Sequence, residues 1–407
     1  MSEKTTILYL DNTFTFGGAI NSLCYLIRAL DREKFEPVLV TGQPVEYLEA
    51  NFSGTKWYHY VPRLPWVNNR CYKTIAAFPL FRIRFLRKLL NITRFAYWLL
   101  FVTVPEACRY YRLGKKHRIE LVHLNNIIGS QFAGILAARM LRVPCVAHLR
   151  DFEEVHPLTR FYARLVDHHV AISGAIKDNL LKLGVPEGKI SVVHDALDLA
   201  EFAVTVDCAY LSREFGVHPG QLNYGIFGRV VDWKGIREFL LAARMIADQV
   251  PEALGFVVGG HSDGDEAFFQ EMVALSDSLG LQDKIVFTGY RQDIPALMKF
   301  MDIVVHASNS PEPFGMVVIE GMAMGKPVVA TRAGGPLDIV KDGRTGLLVP
   351  VGDAEALAGA VITLLRESGL RMRMGVAGRE RVEKHFSSSN YAEKMGEIYT
   401  SLTEVTC

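Results

Sequence analysis

Ser310-Pro311-Glu312-Pro313-Phe314-Gly315-Met316-Val317-Val318-Ile319-Glu320-Gly321 is the stretch from which the rest of the chain is read. Two prolines stiffen its start and exclude regular structure there, and Phe314-Gly315 turns it into an apolar run. From Gly315 onward the residues read as the first turn of a helix. The first N–H groups of a helix have no partner inside it, so those of Phe314, Gly315, Met316 and Val317 point back at the loop. They form a ready site for an anion or for sugar oxygens, and Gly315 lets a ligand approach the backbone. Glu320 follows just over one turn later and is expected on a wall of the same cavity as Glu312. Two carboxylates flanking a helix N-terminus suit a ligand that carries both hydroxyls and phosphate. On spacing alone they are equally two surface glutamates of an ordinary strand–loop–helix unit.

Outward from this loop, short apolar strands alternate with helical patterns in two series. The first runs through 7–10, 38–41, 57–60, 121–124, 145–149, 169–172 and 190–193; the second through 224–227, 255–258, 285–288, 303–306, 328–330 and 346–349. Such alternation predicts parallel, doubly wound sheets. The fold class is therefore α/β, with two Rossmann-like domains facing a cleft and a boundary expected at 205/206. Ligands of such sheets bind at the carboxyl ends of the strands.

Composition narrows the function. A chain of 407 residues with 49% apolar and 22% charged residues builds more than one core. Its formal net charge of +1 gives no global reason to bind nucleic acid. Six cysteines lie scattered with no CxxC pair, which reads as reduced thiols of a cytoplasmic protein rather than a disulfide frame or a zinc site. The first residues run straight into a strand, so no signal peptide is expected.

Gly17-Gly18, between the first strand and the first helix, allows close approach to a phosphate, although neither a full GxGxxG nor a GxxxxGK[ST] pattern is present. Residues 62–118 interleave thirteen Lys and Arg residues with aromatic ones, and the apolar run 95–104 is too short to span a bilayer. Two readings stand for it: peripheral contact with an anionic membrane face, or a helix buried against the first sheet with a solvated basic face.

In the second half several separated motifs fall in order: Gly228-Arg229-Val230-Val231-Asp232-Trp233-Lys234-Gly235, Gly259-Gly260, Phe287-Thr288-Gly289-Tyr290, Glu312-x-Phe314-Gly315 to Glu320, Gly325-Lys326-Pro327, Gly334-Gly335 and Asp342-Gly343-x-Thr345-Gly346. Together they resemble the retaining, metal-independent glycosyltransferases of the GT-B fold, glycosyltransferase family 4. The likeness is dense over 224–350 and thin through the first domain, at Gly17-Gly18, Val146-Ala147-His148 and Ala171-Ile172-Ser173.

The resemblance implies a role for each matching residue. Arg229 and Lys234, five apart after a strand, place two cations on one diphosphate, a pairing that also suits a leaving nucleoside diphosphate on chemical grounds. Glu320 accepts the two ribose hydroxyls, Glu312 holds a hydroxyl of the donor sugar, and Tyr290 and Arg291 hold the base. Gly17 and Gly18 approach the diphosphate from the first domain. His148, at the end of a strand, faces the reacting sugar, with Arg150 and Asp151 beside the acceptor. The segment 387–407 is expected to cross back onto the first domain. One departure is His194-Asp195-Ala196, where the family often carries Asn-Gly. A DxD at Asp263-Gly264-Asp265 is read as helix capping, and no metal ligand set is expected.

The activity implied is retaining transfer of a sugar from a nucleotide diphosphate sugar to a hydroxyl of a lipid-linked or polysaccharide acceptor. UDP-glucose is the preferred donor and GDP-mannose stays open; no further cofactor is expected. The partners are then the donor and a glycan or lipid-linked acceptor, at the inner face of the cytoplasmic membrane. A nucleotide-sugar epimerase of the same architecture and a non-catalytic nucleotide-sugar sensor are the rival readings.

Overall fold

The computed structural model describes residues 4–12, 17–60, 84–202, 206–262 and 264–404. The chain divides into two compact units. One comprises Met1–Ala171, Lys177–Val192 and Ala392–Cys407; the other comprises Ile172–Ile176 and Val193–Tyr391.

The first unit is built on seven strands: β1 (Thr5–Asp11), β2 (Phe35–Thr41), β3 (Lys56–His59), β4 (Leu121–Asn125), β5 (Cys145–Leu149), β6 (His168–Ala171) and β7 (Ile190–Val192). They lie in the order β3-β2-β1-β4-β5-β6-β7, and every pairing is parallel. Parallel strands need crossover helices, which cover both sheet faces, so the inner strands are apolar along their length rather than alternating. Ile7, Leu8, Val38, Leu39, Leu121 and Val122 are accordingly fully buried. Strand order reverses between β1 and β4, where Leu8 pairs Val38 on one side and Val122 on the other.

The second unit repeats the plan with six strands: β8 (Asn223–Phe227), β9 (Leu254–Val258), β10 (Ile285–Gly289), β11 (Ile303–His306), β12 (Val328–Thr331) and β13 (Gly346–Val349). Their order is β10-β9-β8-β11-β12-β13, again all parallel. The reversal falls between β8 and β11, with Val304 opposite Gly225. Two parallel α/β units are the architecture that the alternating strands predict, and the strand ends lie within three residues of their expected positions.

The division between units falls at 192/193, earlier than the expected 205/206. A backbone clasp accounts for this: Leu197 N–H donates to Phe386 O at 2.9 Å and Ser388 N–H donates to Leu197 O at 2.9 Å, so the segment after β7 is sewn to the second unit. The last helix, Ser388–Glu404, starts in the second unit, and from Ala392 onward it belongs to the first. Met395 and Tyr399 on it are fully buried.

The basic and aromatic region is helical where it is described. A helix Arg84–Trp98 runs through a π-helical turn Leu99–Thr103 into a second helix, Val104–His117. Ala107 and Tyr110 are buried, and Trp98 meets Phe132 edge-on at 5.7 Å. Arg109 lies 4.4 Å over Tyr60 and Lys116 lies 5.7 Å from the Tyr58 ring. Opposite this packed side, Ile92, Leu100 and Phe101 are 54%, 60% and 65% exposed. Among the described residues no helix is long and apolar enough to cross a membrane. The part of the region at 61–83 lies outside the described residues.

Candidate functional site

Strand order reverses at β8/β11, and such a switch point is the usual ligand position in open α/β sheets. β8 runs into Gly228-Arg229, then a 3-10 turn Asp232–Lys234 closed by Gly235 in the left-handed region at φ 73°. A side chain at Gly235 would put Cβ 1.9 Å from Ala307 O, so only glycine lets the β8 loop lie against the β11 loop. This seats Lys234 beside the residues that follow β11.

The Lys234 ammonium donates to both Glu312 carboxylate oxygens, at 2.8 and 3.0 Å, and lies 4.1 Å from the Trp233 ring. Glu312 Oε2 also accepts from Ser308 Oγ at 2.9 Å and lies 3.2 Å from His306 Nε2. With the proton on Nε2, the His306 ring donates to Glu312 and accepts at Nδ1 from Thr331 Oγ1, 3.3 Å away. Burial by itself would raise the Glu312 carboxyl, but the hydrogen bond from His306 and the charge of Lys234 outweigh it. The group is held well below the ordinary carboxylate range.

The loop around Glu312 is pinned from behind. Gly335 N–H donates to Glu312 O at 2.8 Å, and Ser173 Oγ donates to Pro313 O at 2.6 Å. The backbones of 312–314 and 334–335 press so close that a Cβ on Gly335 would sit 2.0 Å from Phe314 O. Gly315, at φ 104°, then starts the helix Met316–Ala323. Its role is conformational: a Cβ there would meet no atom of the described residues closer than 3.5 Å, so the left-handed backbone, not crowding, requires glycine. Among the described residues, the N–H groups of Phe314, Gly315, Met316 and Val317 have no hydrogen-bond acceptor. His194, at the departure from the family pattern, stacks on Phe314 at 5.9 Å and reaches Ile172 O through Nδ1 at 3.0 Å.

Glu320 sits on the second turn of that helix. Burial raises its carboxyl to about 7; Lys234 pulls it down and Glu201 adds to the rise. Lys234 therefore acts electrostatically on both carboxylates. Arg229, exposed on the same β8 loop, forms no ion pair and no side-chain hydrogen bond among the described residues. The structure thus brings Arg229, Lys234, Glu312, the 314–317 amides and Glu320 onto the loops and helix at one switch point.

Tyr290 and Arg291 follow β10, farther along the sheet. Tyr290 is 74% exposed. Arg291 is committed to protein partners: its guanidinium donates to Glu214 Oε1 at 2.5 Å and to Asp293 at 2.8 and 2.7 Å, which raises its pKa. Asp293 is lowered to about 2, chiefly by that bond. The guanidinium was expected to hold a base, but its donors are turned to carboxylates. Of the DxD, Asp263 lies outside the described residues. Asp265 sits at the N-cap of the helix Glu266–Ser278 without a side-chain capping bond, unlike the expected cap.

In the first unit the carboxyl ends of β1, β4 and β5 gather buried polar groups. Asp11 accepts from Thr41 Oγ1 and from Asn125 Nδ2, each at 2.8 Å, and Asn125 Oδ1 accepts from Arg150 Nε at 2.5 Å. His148 closes this row, fully buried, its ring 5.3 Å from that of His123. Burial first, then the charge of Arg150, holds the imidazole well below its ordinary value and keeps it neutral. Gly17 precedes the helix Gly18–Ala29 in extended backbone, and a Cβ there would meet no described atom within 4 Å. Packing therefore does not demand glycine at Gly17.

Sequence reasoning missed His306, Ser308 and Trp233, which orient the Lys234–Glu312 pair, and Asp11 and Asn125 beside His148. The available signal was positional: His306, Asp11 and Asn125 are polar residues at the last position of buried strands.

The family model described as Glycosyltransferase Family 4 matches residues 16–201, and the model Glycosyl transferases group 1 matches 213–381. The chain is 25% identical to N-acetyl-alpha-D-glucosaminyl L-malate synthase of Bacillus anthracis, over 72% of this chain and 77% of that one. It is 24% identical to the Escherichia coli UDP-Gal:alpha-D-GlcNAc-diphosphoundecaprenol alpha-1,3-galactosyltransferase, over 72% of this chain and 78% of the relative. Among solved structures, Anabaena HepE in complex with UDP and glucose superposes with a TM-score of 0.76 at 23% identity, covering 98% of this chain and 100% of that one.

Proposed function

We propose that the chain is a GT-B glycosyltransferase of the family 4 and group 1 kind, carrying out retaining transfer from a nucleotide diphosphate sugar with UDP-glucose as preferred donor. The observation that carries this reading is the pair Lys234–Glu312, set beside the open amides of 314–317 at the β8/β11 switch point. In this reading Arg229 and Lys234 grip the diphosphate, the amides take its oxygens, and Glu312 fixes a hydroxyl of the sugar. Glu320 accepts from the ribose, and the chain edge at Tyr290-Arg291 meets the base. Gly17 and Gly18 leave room for the phosphates, and neutral His148 donates to a sugar hydroxyl.

The chemistry follows from these roles. The bond between the anomeric carbon and the β-phosphate oxygen breaks, and its electron pair leaves with the diphosphate. The acceptor hydroxyl attacks the same face, and its proton passes to a β-phosphate oxygen, so the anomeric configuration is kept. Lys234, held in place by Glu312, stabilises the departing charge with Arg229 and the open amides, and electrostatic stabilisation of this kind is where an enzyme gains most. We place metal among the things this site does not need, because Arg229 and Lys234 already supply the positive charge.

The acceptor is a hydroxyl of a lipid-linked or growing glycan. The Escherichia coli relative's name, which specifies a diphosphoundecaprenol-linked acceptor, supports this, as does the exposed face of Ile92, Leu100 and Phe101, which suits peripheral contact with the cytoplasmic membrane.

The test is a radiolabelled-sugar assay with UDP-glucose, UDP-galactose and GDP-mannose, with and without EDTA, with the product anomer assigned by NMR. Transfer with an α-linked product, insensitive to EDTA and abolished by Glu320→Ala, is the expected result. Undiminished turnover in Glu320→Ala, an inverted product, or loss of activity in EDTA overturns it.

A further inference from the structure

A cavity of about 330 Å³ opens on the second unit between the loop 341–345 and the helix Ser368–His385, lined by Lys341, Arg344, Arg381, Lys384, His385 and Glu380. Four of these are cations at neutral pH, and Glu380 is the single carboxylate. The acids next to them in sequence are engaged elsewhere: Asp342 with Arg332, and Glu383 with Arg379 at 2.8 Å. Lys341, Arg344 and Lys384 make no ion pair among the described residues.

Lys384 and His385 sit in the last turn of their helix, where the helix dipole favours cations for structural reasons alone. That account does not extend to Lys341 and Arg344, which come from a separate loop. The loop is built rather than slack: Thr345 Oγ1, buried, accepts from Lys341 N–H at 2.9 Å, and Gly343 N–H donates to Gly346 O at 2.9 Å. Arg381 forms the floor, its guanidinium donating to Ile339 O at 2.6 Å and Asp338 O at 2.8 Å. Burial presses Arg381 below its ordinary pKa; Asp338 opposes this and Arg344 adds to it, so the two guanidinium groups repel across the cavity. Cations drawn from two elements onto one concavity need an anion to be at ease.

We propose that this cavity is a binding site for a phosphorylated ligand, a phosphate monoester or diphosphate, separate from the Lys234–Glu312 loop. Arginine and lysine together are the usual grip on phosphate oxygens, and the volume admits more than a bare phosphate. The phosphate belongs either to a soluble ester or to the headgroup of an anionic phospholipid. Val376, 56% exposed and one turn before Glu380, gives the lipid an apolar neighbour.

Calorimetric titration of pyrophosphate and of glycerol 3-phosphate, and sedimentation with phosphatidylglycerol or phosphatidylcholine vesicles at low ionic strength, are run on the full chain. They are compared with the triple variant Lys341→Gln, Arg344→Gln, Lys384→Gln, with Arg344→Gln alone as a milder change, and with Lys234→Ala. About tenfold weaker binding in the pocket variants, over and above whatever Lys234→Ala removes at the donor loop, is expected. Loss confined to the soluble phosphates assigns a free ester; loss confined to phosphatidylglycerol vesicles assigns a lipid headgroup. Equal binding by wild type and pocket variants, no binding by the wild type, or a loss seen only in Lys234→Ala overturns the proposal.

Discussion

Tyr399 Oη lies 2.8 Å from His123 Nδ1, across 276 residues of sequence, and both side chains are fully buried in the first unit. Tyr9 Oη donates to the same phenol at 3.3 Å, and the Tyr9 and His123 rings lie 4.9 Å apart. The final helix is thus joined by a polar bond to the two central strands, β1 and β4. His123 Nε2 has no partner among the described residues. Tyr399→Phe therefore leaves the ring without a hydrogen bond, and we expect a loss of about 1–3 kcal/mol of stability, read from urea unfolding.

Lys234→Ala strands Glu312 in a buried site. His306 and Ser308 still hold the carboxylate, so the expected cost is about 3 kcal/mol, the lower end for breaking a buried ion pair. Transfer should fall by a further factor of about 10²–10³, because a donor aimed at the leaving group is gone. Thermal unfolding and turnover of the folded fraction separate the two effects.

Glu320 and Glu312 impose opposite pH dependences. Glu320 is raised in the folded chain to about 7, so its contribution to stability is full below the ordinary carboxylate value and is lost as pH rises through 7. Glu312 is depressed, so its contribution is present above the ordinary value and is lost as pH falls below it. If ribose hydroxyls donate to Glu320, nucleotide affinity rises as pH increases through about 7, where the carboxylate forms. Glu320→Gln should bind nucleotide weakly with no such rise; calorimetric titration across that range reads it directly.

Gly335→Ala drives a methyl group into Phe314 O and Phe314 Cα, at 2.0 and 2.3 Å. The backbone must move, and the loop that carries Glu312 moves with it. We expect nucleotide affinity to fall about tenfold or more while the sheet stays folded, because the strain is confined to two loops; nucleotide-induced shift in melting temperature is the measurement.

Tyr290→Ala and Arg291→Ala should part company. Tyr290 is exposed, so its loss changes base preference with stability within about 0.5 kcal/mol of wild type. Arg291 ties Glu214 and Asp293 together, so its loss lowers stability first. Comparing uridine, guanosine and adenosine diphosphates on both variants checks which residue touches the base.

The two parallel sheets were legible in the sequence because buried parallel strands are unbroken apolar runs punctuated by helices. The Glu312–Glu320 loop was legible through its prolines and Gly315. Two kinds of feature were not. Arg291 reads as a free cation because Glu214 lies 77 positions away, and only the fold brings them together. The boundary at 192/193 was hidden for the same reason: Leu197 reads as part of the first domain until Phe386 and Ser388 are seen to bracket it. His306 and Ser308 went unread because a short polar side chain at a strand end gives no periodic signal.

The change of allegiance at 391/392 has a consequence for biosynthesis. The seven strands of the first unit are made before the second unit, yet Tyr399 and Met395, which complete the first unit's interior, are made only after the second unit is finished. That half waits, unsealed, through the making of the other one. Arrested synthesis products ending before Ala392 should therefore be cleaved by protease within the first unit while their second unit resists.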